Sequence, residues 1–189
     1  TGKYVNSPET PIYHKGELLY GLANARTAMR HKAEAVVVEG NFDVVALHAA
    51  GFDNAVAPLG TAFTSEQAKL LKRFSQQVII TFDGDAAGRK ATRAARVPCR
   101  EGGLEARVVR MPNGLDPDEL IRTRGPDALS ALIKGSQGLL EHLVQEALDG
   151  ERFDGASLTE RVARVRAVTT LLSDEPDPNL RMMGKRFAD

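Results

Sequence analysis

The 189-residue sequence contains one cysteine, Cys99, and no tryptophan. A single thiol excludes an internal disulfide and a cysteine-based zinc site within this chain, and it favours a reducing compartment. No apolar run reaches the ~20 residues of a membrane-spanning helix, and the first residues lack the apolar segment of a secretory signal. The sequence also starts without methionine, in what reads as a loop. We therefore expect a cytoplasmic chain that is a piece of a longer protein.

An excess of charge of either sign is also missing, because Lys+Arg and Asp+Glu both number 25. A net charge of zero gives no general requirement for duplex binding, although it leaves room for a local basic patch. Aromatic residues make up only 5% of the chain, and no stacking platform for bases stands out. A hydrophobic content of 42% and a charged content of 26% are typical of a globular protein.

The most regular feature of the sequence is an alternation of helical patterns with short apolar runs. The runs "AEAVVVEG", "NAVAPLG", "QQVIITF" and "LEARVVRM" predict four strands, and helices are predicted at 17–32, 41–50, 64–75 and 86–101. This order predicts an α/β fold with a parallel sheet flanked by helices. Beyond Asp116 we expect a small helical bundle and no further strand.

Acidic residues follow three of the four predicted strands. Glu39 ends the first strand, Asp83 and Asp85 follow the third, and the loop after the fourth leads to Asp116 and Asp118. The carboxyl ends of parallel strands meet at one edge of a sheet. Two carboxylates about 4 Å apart repel by roughly 1 kcal/mol in water and ~4 kcal/mol at an effective dielectric of 20, so a cluster needs a cation. Oxygen ligands without His or Cys suit Mg²⁺ or Mn²⁺, as in two-metal phosphoryl transfer.

Simpler local roles compete with metal binding. Asp85 fits an N-cap of the following helix, and Asp83 fits a turn. Asp116 starts a complete capping box with Pro117 and Glu119, so that taken alone it is better explained as a cap. Glu39 does not fit such a local role, because Glu is rare at caps. The occurrence of acids at three points of one edge also favours a functional cluster.

Four motifs carry a resemblance to a known family. "VVVEGNFDVVAL", "APLGTAFT", "TFDGDAAGRKA" and "GLDPDELIR" resemble the Toprim motifs of bacterial DnaG-type DNA primases, and "KYVNSPETPIYHKGELLYGL" resembles the segment that precedes Toprim in those enzymes. The resemblance covers nearly all of residues 1–125. It implies a lead-in segment of the polymerase core at 1–32, a Toprim domain at 33–115 and a C-terminal helical subdomain at 116–189.

The resemblance implies an enzyme of DNA replication that synthesises short RNA primers on single-stranded DNA from ribonucleoside triphosphates, with Mg²⁺ or Mn²⁺. Catalytic and metal-binding roles would fall to Glu39, Asp83 and Asp85, and further metal binding to Asp116 and Asp118. Nucleotide or template contacts would fall to Lys3, Lys15 and Asp43. Arg89 lies in the first turn after the D-G-D motif, where it could contact phosphates or form part of a solvated helix face.

The sequence also departs from the family pattern. An aromatic residue usually follows E-G, whereas this chain has Asn41 and then Phe42. The zinc-binding module, the first half of the polymerase domain and the C-terminal module that binds the replicative helicase have no counterpart here. We therefore expect weak or no primer synthesis by this chain alone. By the same resemblance, the protein is expected in the bacterial cytoplasm, associated with the nucleoid.

Two other functions share the acidic motifs. A Toprim nuclease or topoisomerase-like strand cutter needs a tyrosine nucleophile or a different lead-in, and Tyr4, Tyr13 and Tyr20 all lie in the primase-like lead-in segment. A non-catalytic Toprim binding module would keep the fold without the metals. The acids retained at the strand ends argue against that alternative.

Overall fold

The computed structural model describes residues 7–60, 62–112, 114–148 and 154–188. Its contacts divide the chain into two compact units, residues 1–136 and 137–189. The domain limits expected from the sequence, with boundaries after residues 32 and 115, follow family motifs rather than contacts, and they stay a prediction.

The first unit is built on a sheet whose strands lie in the order β1-β3-β2-β4-β5. The parallel arrangement expected for four strands is confirmed, because β2 pairs with β3 and β4, and β4 pairs with β5, all in parallel. The short edge strand β1 pairs with β3 in the antiparallel direction. These strands are β1 (Leu19–Tyr20), β2 (Glu34–Val37), β3 (Ala55–Pro58), β4 (Gln77–Ile80) and β5 (Glu105–Val108).

Helices connect the parallel strands of the first unit and continue after the last one. They are α1 (Leu22–Lys32), α2 (Asn41–Ala49), α3 (Ser65–Lys72), α4 (Ala86–Ala94), α5 (Arg96–Glu101), α6 (Pro117–Arg124) and α7 (Pro126–Lys134). A 3₁₀ turn (Lys15–Glu17) precedes β1.

The central strands are buried on both faces, which explains their continuous apolar runs. Val36 and Ala55 lie in a core cluster with Leu47 of α2, Leu120 of α6 and Leu129 of α7, and each is at most 1% exposed. Because α6 and α7 contribute to the same cluster as α2, the helices after residue 116 help to bury the sheet that carries the acidic residues.

The expected helix from residue 17 was wrong over its first five residues. α1 begins only at Leu22, after Gly21 with φ of 82°. The preceding residues form β1, in which Leu19 pairs with Pro58 and Tyr20 with Ala57. A helical face and a two-residue edge strand look alike in so short a segment, so long-range pairing decided the outcome.

Two further expectations were wrong. The helix expected over 86–101 is two helices, α4 and α5, that meet at Ala95. Pro98 lacks a backbone N–H and restricts the chain before it, which favours the break. A further strand also follows residue 116, since Gln137–Gly138 forms the short strand β6; two residues are too few to show an alternating pattern.

The second unit begins with β6 and contains three helices whose bounds the structure gives in full. These are α8 (Leu139–Ala147), α9 (Leu158–Ser173) and α10 (Pro178–Ala188). Val144 of α8 packs with Val168 and Leu172 of α9 in a small core of its own. In the described part of both units, no helix is long and apolar enough to cross a membrane.

Candidate active site

The acidic residues of the sheet edge follow three adjacent strands, β2, β4 and β5. Glu39 comes just after β2, and Asp83 comes three residues after β4. The two are joined directly, because the backbone N–H of Asp83 donates a 3.0 Å hydrogen bond to Oε1 of Glu39. The loop after β5 approaches the same point, where the backbone N–H of Gly84 donates to the carbonyl of Leu115 at 3.0 Å. Adjacent parallel strands thus bring together segments far apart in the sequence.

Asp83 lies at the electrostatic centre of this cluster. Its pKa is raised from 3.8 to about 7, first by burial and then by the nearby carboxylates of Glu39, Asp43, Asp116 and Asp85, in that order. Its Oδ1 is buried and has no hydrogen-bond partner among the described residues. A buried carboxylate oxygen without a partner is costly unless a proton or a cation neutralises it.

Asp43 lies deeper than the sequence suggested. Its side chain is 9% exposed, and its Oδ2 accepts a 3.0 Å hydrogen bond from the backbone N–H of Gly40. The pKa of Asp43 is raised from 3.8 to about 6, chiefly by burial. The charges of Asp116 and Asp118 also raise it, whereas hydrogen bonds from the backbone of Gly40 and Asp118 lower it. Asp43 therefore ties the start of α2 to the start of α6.

The N-caps considered for two of the aspartates are confirmed, but the complete capping box expected at Asp116 is not, because the structure records no reciprocal bond from the Asp116 backbone to the Glu119 side chain. Oδ1 of Asp85 accepts from the backbone N–H of Gly88 at 2.8 Å, and Oδ1 of Asp116 accepts from the backbone N–H of Glu119 at 2.6 Å. Capping engages one oxygen of each carboxylate, so it is compatible with a second role for the other oxygen. Asp118 and Asp85 are exposed, and Asp116 is half-buried.

Two glycines allow the backbone to come close at this edge. A Cβ at Gly88 would lie 2.2 Å from the carbonyl oxygen of Asp83 and 2.8 Å from Oε1 of Glu39. A Cβ at Gly84 would lie 2.1 Å from the carbonyl oxygen of Pro112. All three separations are too short for a Cβ, so these glycines let α4 and the loop after β5 pack against the acidic residues.

Two of the three basic residues expected to contact nucleotide or template lie in the part of the chain that the structure describes. Lys15 lies in the 3₁₀ turn before β1 and is half-buried. Arg89 is half-buried in the first turn of α4, where its Nη1 donates to the carbonyl of Gly84 at 3.0 Å. Lys3 lies outside the described residues.

The acidic residues of this edge are the candidate ligands of a divalent metal ion. In the described ranges, no three Asp, Glu, His or Cys side chains stand close enough together to hold an ion as they are placed. The unpartnered Oδ1 of Asp83 and the raised pKa of that carboxyl nevertheless fit a cation held by hard oxygen ligands.

Sequence reasoning missed one residue that bears on the site. Gln67 forms a capping box with Thr64 at the start of α3. It is also fully buried and hydrogen-bonded to the segment that carries Lys15. The only signal in the sequence was a polar residue on the apolar face of α3 beside Ala68 and Leu71, which are both buried.

A parallel sheet with carboxylates gathered at its carboxyl edge defines a Toprim-type α/β domain. A Toprim-like family model matches residues 36–121, and the model of the N-terminal domain of the DNA primase catalytic core matches residues 1–26. DNA primases of Synechococcus elongatus and Aquifex aeolicus are 41% and 40% identical to this chain over 185 and 172 residues. These matches cover 95% and 91% of this chain but only 26% and 33% of the two relatives.

Solved structures give the same result. The RNA polymerase domain of Mycobacterium tuberculosis primase DnaG matches with a TM-score of 0.85 and 34% identity, over 98% of this chain and 60% of that one. The zinc-binding and RNA polymerase domains of Aquifex aeolicus primase match with a TM-score of 0.81 and 36% identity, over 100% of this chain and 44% of that one. The chain belongs to the bacterial DnaG-type DNA primase family, whose Toprim catalytic core it shares. It spans between a quarter and a third of the length of those two curated relatives.

Proposed function

We propose that this chain carries the metal-binding part of a primase active site, which joins ribonucleotides into short RNA primers on single-stranded DNA. The observation that carries the proposal is the meeting of Glu39 and Asp83 at one sheet edge, with an unpartnered buried carboxylate oxygen on Asp83. Toprim primases depend on metal in general, and this edge is where the chain offers oxygen ligands.

Within the proposal, Asp83, Asp85 and Glu39 hold Mg²⁺ or Mn²⁺, and Asp116 and Asp118 contribute from the start of α6. A divalent ion bound there would stabilise the charge that develops on the α-phosphate and activate the attacking 3′-hydroxyl. The capping bonds of Asp85 and Asp116 fix their carboxylates, which reduces the ordering cost of binding an ion.

The remaining residues have positioning roles. Glu39 accepts the Asp83 N–H, which fixes the loop after β4 relative to β2. Asp43 links the starts of α2 and α6 and is too buried to present much surface to a nucleotide. Lys15 and Arg89 are the described cations proposed to face the phosphates of a ribonucleoside triphosphate or of the template. Lys3 is proposed for the same role.

The partners of the proposed reaction follow the family. One solved relative is a DnaG primase catalytic domain bound to single-stranded DNA, and another is a Mycobacterium tuberculosis primase domain in complex with double-stranded DNA. By this likeness we propose that the chain contacts a DNA template together with ribonucleoside triphosphates. Contact with a replicative helicase, through a module outside this sequence, and a cytoplasmic location at the nucleoid belong to the same proposal.

The test separates metal binding from priming. Binding of Mn²⁺ to the purified chain is measured by electron paramagnetic resonance, with Asp83→Asn as the variant and Glu105→Gln as the control. Glu105 is an exposed carboxylate at the amino end of β5, hydrogen-bonded by Gln77. Its loss therefore changes charge away from the acidic edge, which is the carboxyl edge of the sheet where Glu39 and Asp83 lie. We expect Asp83→Asn to weaken binding at least tenfold and Glu105→Gln to leave it unchanged.

Priming is tested by placing this chain in the matching region of the Pseudomonas aeruginosa primase, to which it is 42% identical over 185 residues. The chimera is expected to make primers on single-stranded DNA, and the Asp83→Asn chimera is expected to make none. Efficient priming by the isolated chain contradicts the expectation that it needs further domains. Cleavage of supercoiled DNA would favour the strand-cutter alternative, and failure to bind Mn²⁺ at millimolar concentration would favour a non-catalytic module.

A further inference from the structure

Gln67 is a fully buried amide whose hydrogen bonds reach a distant part of the chain. It lies in the first turn of α3 and is 0% exposed. Its Nε2 donates to the carbonyl of Lys15 at 3.0 Å and to the carbonyl of Leu18 at 2.8 Å. Its Oε1 accepts from the backbone N–H of Thr64 at 3.0 Å. The two N–H groups and the oxygen of the Gln67 amide therefore all form hydrogen bonds. The two bonds that Nε2 donates join residues about 50 positions apart in the sequence.

Thr64 reinforces the same attachment. Its hydroxyl donates to the carbonyl of Gly16 at 2.5 Å and accepts from the backbone N–H of Gln67 at 3.1 Å. The carbonyls of Lys15, Gly16 and Leu18 are thus all bonded to the start of α3. The 3₁₀ turn Lys15–Glu17 has no buried residue and no side-chain N-cap of its own, so these bonds attach its backbone to the body of the unit.

Strand direction places this turn at the acidic edge. β1 runs antiparallel to β3, and Leu19 lies opposite Pro58, the last residue of β3. The residues before β1 therefore lie beyond the carboxyl end of β3, on the side of the sheet where Glu39 follows β2. β1 is two strands away from β2 in the sheet, a lateral spacing of about 10 Å at ~4.8 Å per strand. A lysine side chain and a triphosphate together can span that distance.

We propose that Gln67 is a positioning residue for Lys15, holding its turn so that the ammonium group meets the polyphosphate of a ribonucleoside triphosphate bound at the acidic edge. The inference rests on the proposed function. A cluster of carboxylates repels a triphosphate, so the edge needs cations at fixed positions as well as metal ions. Lys15 lies on an exposed lead-in segment, and the buried amide of Gln67 supplies the rigidity that this segment lacks by itself.

The key variant is Gln67→Glu, which keeps the shape of the side chain. A carboxylate still accepts from Thr64 but cannot donate to Lys15 or Leu18 at neutral pH, so the turn is released while α3 keeps its cap. The affinity for ATP in the presence of Mn²⁺ is measured by calorimetry on the full chain. We expect Lys15→Ala and Gln67→Glu each to weaken ATP binding about tenfold, as for the loss of one charge-assisted contact.

The matched control is Asn54→Asp, which makes the same amide-to-carboxylate change at another buried site. Asn54 is 1% exposed, and its Nδ2 donates to the carbonyl of Glu34 at 3.1 Å. It precedes β3, at the opposite end of the sheet from the acidic edge. We expect Asn54→Asp to lower the melting temperature as Gln67→Glu does, and to leave ATP affinity unchanged.

Three readouts distinguish positioning from general stability. Gln67→Glu must leave Mn²⁺ affinity intact, and the double variant Lys15→Ala/Gln67→Glu must bind ATP no more weakly than Lys15→Ala alone. Additive losses, or an equal loss of ATP affinity in Asn54→Asp, would overturn the inference. If Gln67→Glu does not fold, Thr64→Val removes the bond to Gly16 and is expected to weaken ATP binding, whereas Thr64→Ser keeps both the bond and the affinity.

The outcomes also separate this inference from the proposed function. An unaltered chain that binds Mn²⁺ and ATP, with ATP affinity lowered by Lys15→Ala but not by Gln67→Glu, supports the proposed function and contradicts the positioning role. An unaltered chain that binds neither ligand contradicts both. Loss of ATP affinity in both variants, with Mn²⁺ affinity retained, supports both.

Discussion

The backbone N–H of Asp83 donates a 3.0 Å hydrogen bond to Oε1 of Glu39, a residue 44 positions earlier in the chain. This bond joins the ends of β2 and β4, which are neighbours in the sheet. It orients the Glu39 carboxylate towards the loop that carries both aspartates of the D-G-D motif. Glu39 is thus a structural acceptor and a source of negative charge at the same time, and the two roles can be separated by mutation.

Glu39→Gln is expected to keep the structure and weaken metal binding. The amide oxygen can still accept from the Asp83 N–H, but the lost charge removes the strongest electrostatic contribution to the raised pKa of Asp83. We expect at least tenfold weaker Mn²⁺ binding and a lower Asp83 pKa, measured by NMR titration. Glu39→Ala also leaves the N–H without an acceptor, at a cost of about 1–3 kcal/mol in stability. Equal stability of the two variants would show that the hydrogen bond does not matter.

Capping and proposed metal binding can also be separated at Asp85, because its carboxylate caps α4. Asp85→Asn keeps an oxygen that can accept from Gly88, whereas Asp85→Ala removes the cap at a cost of about 1 kcal/mol. We expect both variants to lose Mn²⁺ affinity to a similar extent, while only the alanine variant is destabilised. Stability is followed by hydrogen exchange at the α4 amides. Unchanged Mn²⁺ affinity in both would leave Asp85 with a capping role alone.

Local patterns in the sequence were sufficient for the parts of the site that depend on neighbouring residues. The caps at Asp85 and Asp116 follow from the residue types within one helical turn, and both are confirmed. The parallel strands follow from continuous apolar runs, because strands buried on both faces have no polar side. Glu39 and Asp83 then meet because the parallel strands that they follow, β2 and β4, end at the same edge of the sheet.

Features that depend on distant segments could not be predicted in the same way. The burial of Asp43 depends on the start of α6, whose Asp118 backbone bonds to it more than 70 residues later in the sequence. β1 is defined by pairing with β3, and its two residues carry no period of their own. The roles of the individual site residues, including Lys15, Asp118 and Arg89, stay predictions.

Gly88→Ala is expected to disrupt the site from the side of α4. The new Cβ would lie 2.2 Å from the carbonyl oxygen of Asp83 and 2.8 Å from Oε1 of Glu39, so the helix has to move away from both. Overpacking of this kind costs about 1–3 kcal/mol, and it displaces the ligands as well. Gly135→Ala is the control, because its Cβ would be 3.4 Å from its nearest neighbour and its φ is −84°. Mn²⁺ affinity should fall in the first variant only; an equal fall in both would contradict the packing argument.

The acidic edge should make the metal-free protein less stable as the pH rises. The pKa values of Asp83 and Asp43 are raised from 3.8 to about 7 and about 6, so the folded state binds more protons than the unfolded state between about pH 4 and pH 7. Their protonation therefore stabilises the fold fully below about pH 4, and this contribution is lost as the pH rises through 6 and 7. After allowance for solvent screening, we expect a loss of roughly 2 kcal/mol.

Asp83→Asn tests this relation directly, because the variant has no charge to gain at position 83. Hydrogen exchange at the β4 amides, compared between pH 5.5 and pH 8, should show a smaller decrease in stability for Asp83→Asn than for the unaltered chain. At pH 8 the variant should be the more stable of the two without metal, and Mn²⁺ should stabilise only the unaltered chain. Asp83 would then supply a metal ligand and, without metal, lower the stability of the fold. This is expected where a charged residue serves binding rather than folding. A metal-free chain whose stability does not fall between pH 5.5 and pH 8 would contradict the close approach of these carboxylates.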